Sequence, residues 1–225
     1  MPAPERGKGN SILTTLQPYF APDTIEARSF EIIDSEVPEP RPFAGAQWEI
    51  ARRLIHTSAD FDLLNHIAFH PQAVEAGLNA LGNGCTVFTD TEMARSGMPL
   101  RRMEPLGCTV QCLLNRPDVV AAAKTNGTTR AHAAMDAARG ELQGCIMAIG
   151  NAPTALIRLM EHLAAGGQAP ALIIGMPVGF VNAAESKELL VGQTAVPYIT
   201  IRGRKGGSPL AAATVNALAE MALRT

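Results

Sequence analysis

Aromatic side chains are scarce in this sequence: seven Phe, two Tyr and one Trp among 225 residues. A core must therefore be built from Ala, Leu, Ile, Val and Met, within an apolar content of 47%. An excess of charge of one sign is also missing. With 21 acidic and 19 basic residues the net charge is −2, which argues against a general nucleic-acid or membrane-surface footprint. No run of about 20 unbroken apolar residues is available to cross a bilayer; Gly and Pro interrupt the nearest one, Ala171 to Val181. No charged-then-apolar leader opens the sequence, so a cytoplasmic location is expected. The four cysteines (Cys85, Cys108, Cys112, Cys145) form no CxxC pair and read as reduced core residues. The dinucleotide G-x-G-x-x-G after a first strand, the P-loop and the G-x-S-x-G nucleophile elbow are all missing.

What is present is organised around Met147 to Lys187. Cys145 to Ile149 is an apolar run too short for a helix and suited to a buried parallel strand. Gly150 breaks it, and Asn151 followed by Pro153 predicts an N-cap with proline in the first helical turn. Ala155, Leu156, Leu159, Met160 and Leu163 mark one face of the helix, and Gly166-Gly167 end it. A second buried run, Ala171 to Ile174, stops at Gly175-Met176-Pro177-Val178-Gly179-Phe180. This is a βαβ unit, and ligands of open α/β sheets sit beyond the carboxyl ends of such strands.

The rest of the chain alternates in the same way. Residues 1–22, rich in Pro, Gly and polar side chains, are expected to form a flexible arm before a single domain over 23–225. Thr24 is placed to cap a short helix to Ile33, and Pro38, Pro40 and Pro42 force an irregular link. Helices are expected from Ala44 to His56 and from Pro71 to Leu81. Cys85 to Phe88, Thr109 to Leu114 and Val196 to Ile201 read as strands. Met93–Ser96 and Val119–Lys124 read as short helices, with a charged loop at Gly97–Arg102. Thr128 or Thr129 is placed to cap a helix from Arg130 to Arg139, and Ser208-Pro209 to start a C-terminal helix. The expected fold is a single-domain, three-layer α/β/α sandwich with a mostly parallel central sheet.

Three groups of residues bear on chemistry. Arg202 to Ser208 is basic, glycine-rich and opens a helix, so its backbone N–H groups can hold an anion; otherwise it is a glycine turn with solvated bases. His66 and His70 are four apart, a metal-pair spacing on a helix, but Pro71 follows at once and no carboxylate completes the motif. A structural role is favoured for both. His132 and His162 fall on amphipathic helices and are expected half-exposed. His56 ends an apolar helix, and Thr57, Ser58 and Asp60 follow it as small polar groups able to orient an imidazole. A histidine so placed can give or take a proton near neutrality, against the simpler alternative of a hydrogen-bonded structural histidine.

Several segments together resemble the precorrin-8X methylmutase family, also called cobalt-precorrin-8 methylmutase, of the cobalamin pathway. They are Ile25 to Phe30, Leu54 to Phe61, Asp90 to Met93, Asn126 to Ala131, Ala148 to Leu156, Gly175 to Lys187 (GMPVGFVNAAESK) and Arg202 to Ser208, in order from about residue 24 to 221. The resemblance implies an isomerase that moves a methyl group from carbon 11 to carbon 12 of ring C, giving hydrogenobyrinic acid or, with cobalt inserted, cobyrinic acid. It places the catalytic histidine at His56, as the acid that protonates the ring C region. An intramolecular shift of this kind needs one proton donor and a shaped pocket, and no cofactor or protein-bound metal is expected.

The macrocycle is flat and apolar with a rim of carboxylates, which calls for cationic forks around an apolar cleft. Arg28, Ser29, Thr129, Arg130, Asn151, Thr154, Val178, Gly179, Phe180, Arg202, Gly203 and Arg204 are the expected substrate-binding residues, with Arg101 a weaker candidate. The resemblance further implies a homodimer with sites near its interface. It is poor from Gly97 to Met103, and residues 1–20 exceed the family's usual start. Two rivals are an enzyme that holds a phosphorylated or nucleotide ligand on the basic glycine loop, and a protein that carries a tetrapyrrole without turning it over.

Overall fold

The computed structural model describes residues 22–224. In chain order its elements are helix α1 (Pro22–Glu36), helix α2 (Gly45–Ser58), strand β1 (Ile67–Phe69), helix α3 (Ala73–Gly82), strand β2 (Thr86–Thr89), helices α4 (Glu92–Ser96) and α5 (Leu100–Met103), and strand β3 (Thr109–Cys112). Helices α6 (Pro117–Asn126) and α7 (Arg130–Ala138), strand β4 (Ile146–Ile149), helix α8 (Pro153–Ala164), strand β5 (Leu172–Gly175), helix α9 (Ala183–Gly192), strand β6 (Tyr198–Ile201) and helix α10 (Ser208–Ala222) follow. Of the expected N-terminal arm, residues 1–21 lie outside the described residues, and Pro22 already belongs to α1.

The six strands form one sheet in the order β1-β6-β5-β4-β2-β3. Five are parallel, and β1 runs antiparallel to β6 with Ile67 opposite Ile201. Every residue of β4, β5 and β6 is buried, because helices cover both faces. Alternation sorts their side chains between two cores. Ile146, Ala148, Leu172, Ile174, Ile199 and Ile201 point to the side of α2, α3 and α10. Met147, Ile149, Ile173 and Tyr198 point to the side of α7, α8 and α9. Burying one such Ile or Leu contributes roughly 1.5–3 kcal/mol. The expected three-layer sandwich with a mostly parallel sheet is what forms.

Helix α10 is apolar nearly all round, as a helix must be when enclosed. It lies between the sheet and α2, α3 and α4. Its one charged residue, Glu220, accepts from Arg53 at 2.5 Å and from Arg102, and Arg53 also takes Glu26 at 3.1 Å, so α1, α2, α5 and α10 meet at one ion-pair network.

Several local expectations change. Residues 22–36 form a four-turn helix, with Thr24 inside it and not at its cap. Leu100–Met103 is a helical turn in the expected loop. His66 and His70 flank a strand, so they cannot act as a helical metal pair; His66 Nε2 meets Asp62 at 3.1 Å and the His70 ring packs against Tyr198. Helix α9 has no counterpart among the expected elements. Its buried positions, Ala183, Ser186, Lys187 and Leu190, keep the spacing of a helical face, but two polar residues interrupt the apolar stripe by which such a face is read.

Candidate functional site at the strand ends

Strand order reverses between β2 and β4, and the crevice outside that switch point is where a ligand is expected in an open α/β sheet. Here a side chain fills it. Asp90, the residue after β2, is buried and accepts the backbone N–H groups of Gly150 (3.0 Å), Asn151 (2.7 Å) and Ala152 (2.7 Å). Burial pushes the carboxyl above the usual carboxylate range, while these three donors pull the other way. Asp90 thus satisfies the amino end of α8 from another strand. The expected Asn151 cap is not made: Ala152 stands at the N-cap and Asn151 is left exposed.

The neighbouring loops pack on this point. The Thr91 hydroxyl accepts the Ala94 N–H and shares a 2.8 Å hydrogen bond with the Ser208 hydroxyl. Ser208 therefore bonds across to Thr91 and does not cap α10, whose N-cap is Gly207. Thr129 caps α7 by accepting the His132 N–H at 3.1 Å, and its hydroxyl lies 2.9 Å from that of Thr154 in the first turn of α8. Arg130, at the start of α7, donates to Asn115 at 2.9 Å. Thr129, Arg130, Asn151 and Thr154 therefore gather on one side of the strand ends.

On the other side stand the loops after β5 and β6. Phe180 and Val181 are 82% and 78% exposed, and the Arg204 guanidinium lies 5.3 Å from the centre of the Phe180 ring. Gly179 N–H donates to the Arg204 carbonyl at 3.2 Å, joining the two loops. Arg202 is held in a two-bond ion pair with Glu188 of α9, and its N–H donates to the His66 carbonyl. The N–H of Gly207 is likewise engaged, by the Met176 carbonyl at 2.9 Å. Two of the backbone donors expected to cradle an anion, those of Arg202 and Gly207, are thus committed to the fold.

His56 is exposed in the last turn of α2. Its ring meets the edge of Phe30 with centroids 5.4 Å apart, and Arg52 and Arg53 lie over the same phenyl ring at 4.5 and 5.2 Å. The expected orienting groups are otherwise occupied. Thr57 and Ser58 donate back to the Arg53 and Leu54 carbonyls, and Asp60 accepts from the Asp62 N–H and from Lys205. Packing against Phe30 takes the place of polar orientation. Arg28 and Ser29 flank Phe30 on α1, the former paired with Glu31 at 2.7 Å and the latter donating to the Ile25 carbonyl.

Local pattern did not single out Asp90, Glu188, Lys187 and Lys205, which hold this region together. The one signal available was position, since Asp90 and Lys205 both stand just beyond strand ends. A separate cavity of about 420 Å³ opens between α1, α2 and α10 beside Phe30, Arg52, Arg53 and Glu220. Phe30, Ala217 and Leu223 give it an apolar wall, its charged side chains are already paired, and none of the expected substrate-binding residues lines it.

The sequence profile of the precorrin-8X methylmutases matches residues 24–221. The chain belongs to that family. The family consists of isomerases of cobalamin biosynthesis. The chain is 46% identical over 203 residues to the cobalt-precorrin-8 methylmutase of Salmonella typhimurium, covering 88% of this chain and 94% of that protein. It is 46% identical over 172 residues to the precorrin-8X methylmutase of Pseudomonas aeruginosa, covering 76% and 82%. Among solved structures, the precorrin-8X methyl mutase from Thermus thermophilus superposes with a TM-score of 0.84 at 43% identity, over 90% of this chain and 97% of that one.

Proposed function

We propose that this methylmutase acts on precorrin-8X or cobalt-precorrin-8, with His56 as the general acid, in a domain spanning residues 23–225. One carbon–carbon bond breaks and another forms within the same molecule as the methyl passes from carbon 11 to carbon 12, so no atom enters or leaves. The protein's share is then a proton lent to the ring C region and taken back after the shift, and a surface that holds the ring in a reactive shape.

The observation that carries this reading is the Phe180–Arg204 pair. An aromatic face 82% exposed, with a guanidinium 5.3 Å from its centre, offers what a flat apolar ring with a carboxylate rim requires. Arg130, hydrogen-bonded to a neutral amide, has its charge left for an acetate or propionate. Arg28 and Arg202 reach substrate carboxylates in exchange for, or alongside, Glu31 and Glu188. Thr129, Thr154, Asn151 and Ser29 supply hydroxyl and amide partners, and Val178, Gly179 and Gly203 shape the loops around the ring. The enzyme works in the cytoplasm as a homodimer; the exposed Val178, Val181 and Leu189 give apolar surface for a second subunit to cover.

The test is conversion of precorrin-8X followed through its visible spectrum, in wild type and His56→Ala. Wild type should turn over through many cycles, and the variant should bind substrate without converting it. Equal conversion by both would make His56 structural. A spectrum that changes on binding but never cycles would mark a carrier. Thermal protection by ATP or NAD, and not by corrinoids, would favour a nucleotide ligand.

A further inference from the structure

Lys205 is the point at which the parts of this region are tied together. Its ammonium donates to Asp60 Oδ2 at 2.6 Å and to Asp62 Oδ2 at 2.8 Å. Both carboxylates belong to the turn that leaves the His56 end of α2. Its carbonyl accepts the Nζ of Lys187 at 2.6 Å, and Lys187, on α9, is closed off from solvent at 0% exposure. On either side the same loop is joined to the one after β5, through Gly179 to Arg204 and Gly207 to Met176. A residue at Gly206 bearing a Cβ would run into the Met176 carbonyl, so this approach is close as well as bonded.

The chemistry of Lys187 is unusual for a buried residue. Its ammonium rests on a carbonyl and not on a carboxylate, at a cost in desolvation that apolar packing would avoid. Burial accordingly holds its pKa down to about 8. What the ammonium adds at this place is a fixed position for one carbonyl, that of Lys205.

Building on the assignment of His56 as proton donor, we infer that Lys205 is a positioning residue for the methyl shift. With Lys187 behind it and Asp60 and Asp62 ahead, it sets the separation between the Arg202–Arg204 loop, which meets the substrate's carboxylates, and the helix end that presents His56. It acts through Asp60, on the geometry of the protein. Displacing a reacting group by about 1 Å can cost on the order of a hundredfold in rate.

The experiment compares wild type, His56→Ala, Lys205→Met, Lys205→Arg, Asp60→Asn and the Lys205→Met/Asp60→Asn double variant for kcat, KM and melting temperature with precorrin-8X. Lys205→Met and Asp60→Asn should each lower kcat about tenfold to a hundredfold while KM and melting temperature hold. The double variant should be no worse than Lys205→Met, which already breaks the Asp60 link together with the Asp62 one, and Lys205→Arg should recover most of the rate. Additive losses, a raised KM with kcat kept, or a lowered melting temperature with kcat kept would each overturn the inference. Normal kcat in Lys205→Met beside an inactive His56→Ala sinks it alone. Wild-type conversion by His56→Ala sinks the proton-donor assignment instead.

Discussion

A methyl group built on Gly150 would lie 2.5 Å from the Cα of Ser208. The exit of β4 and the start of α10 therefore touch backbone to backbone, with Asp90 beneath and Thr91 bonded across. Gly150→Ala should force these backbones apart at a cost of about 3 kcal/mol, the upper range for overpacking a filled site. A fall in the urea midpoint with an unchanged slope would show it. A midpoint equal to that of wild type would mean that the two elements separate freely.

Asp90 offers a second measure of the same junction. Asp90→Ala leaves the buried N–H groups of Gly150 and Ala152 without their acceptor, which should cost about 3 kcal/mol. Asp90→Asn keeps one oxygen and should lose about half as much. Denaturant titration of both variants ranks them, and an Asn variant weaker than the Ala variant would contradict the capping role.

The buried Lys187 makes stability depend on pH in alkaline solution. Its folded pKa of about 8 lies below the ordinary 10.5, so between these values the unfolded chain binds the additional proton. Stability contributed by this residue therefore rises as pH increases from about 8 to 10.5, by a limit of roughly 3 kcal/mol. Below pH 8 the cost of a buried charge is present in full. Unfolding free energies of wild type and Lys187→Met, measured from pH 7 to 10, should converge or cross in that direction. Parallel curves would sink the assignment.

The thiols should be slow to react. Desolvation raises Cys85 and Cys145 to about 12, and it raises Cys108 and Cys112 above the usual thiol value as well. Iodoacetamide at pH 8 should leave the native protein largely unmodified and label four sites after denaturation. Rapid labelling of native Cys85 or Cys145 would show that their surroundings open readily.

Phe180 separates binding from stability. Its ring is almost wholly in solvent, so Phe180→Ala should shift stability by no more than about 0.5 kcal/mol. Removing the aromatic face should raise KM about tenfold, in line with the worth of one aromatic stack. A variant with normal KM would move the macrocycle away from this loop.

Strands β4 and β5 are legible in the sequence because burial on both faces makes them continuous apolar runs. Strand β1 is not. It has three residues, Ile67 to Phe69, and its reason to be a strand lies in β6, at the other end of the chain. The cap of α8 shows the same limit. Asn151 satisfies every local rule for an N-cap, yet Asp90 does the work from 60 positions away, and no window of sequence contains both. The gathering of Thr129 with Thr154, and of Phe180 with Arg204, was anticipated only as shared membership of one site; their direct contacts come from the topology. Likewise Thr57 and Ser58 are polar and adjacent to His56, but a helix turns their hydroxyls back onto its own carbonyls.

The pairing of β1 with β6 also sets an order of events. The first strand of the sheet has its neighbour in the last, and α2 has its apolar partner in α10. Ile50, Leu54 and Ile55 must therefore wait for their cover until almost the whole chain has left the ribosome, and contacts of such long range form slowly. The meeting of Lys205 with Asp60 belongs to the same late step. A chain cut short before α10 would carry α2 with its apolar face uncovered, so the helix that bears His56 is seated only when the last helix arrives.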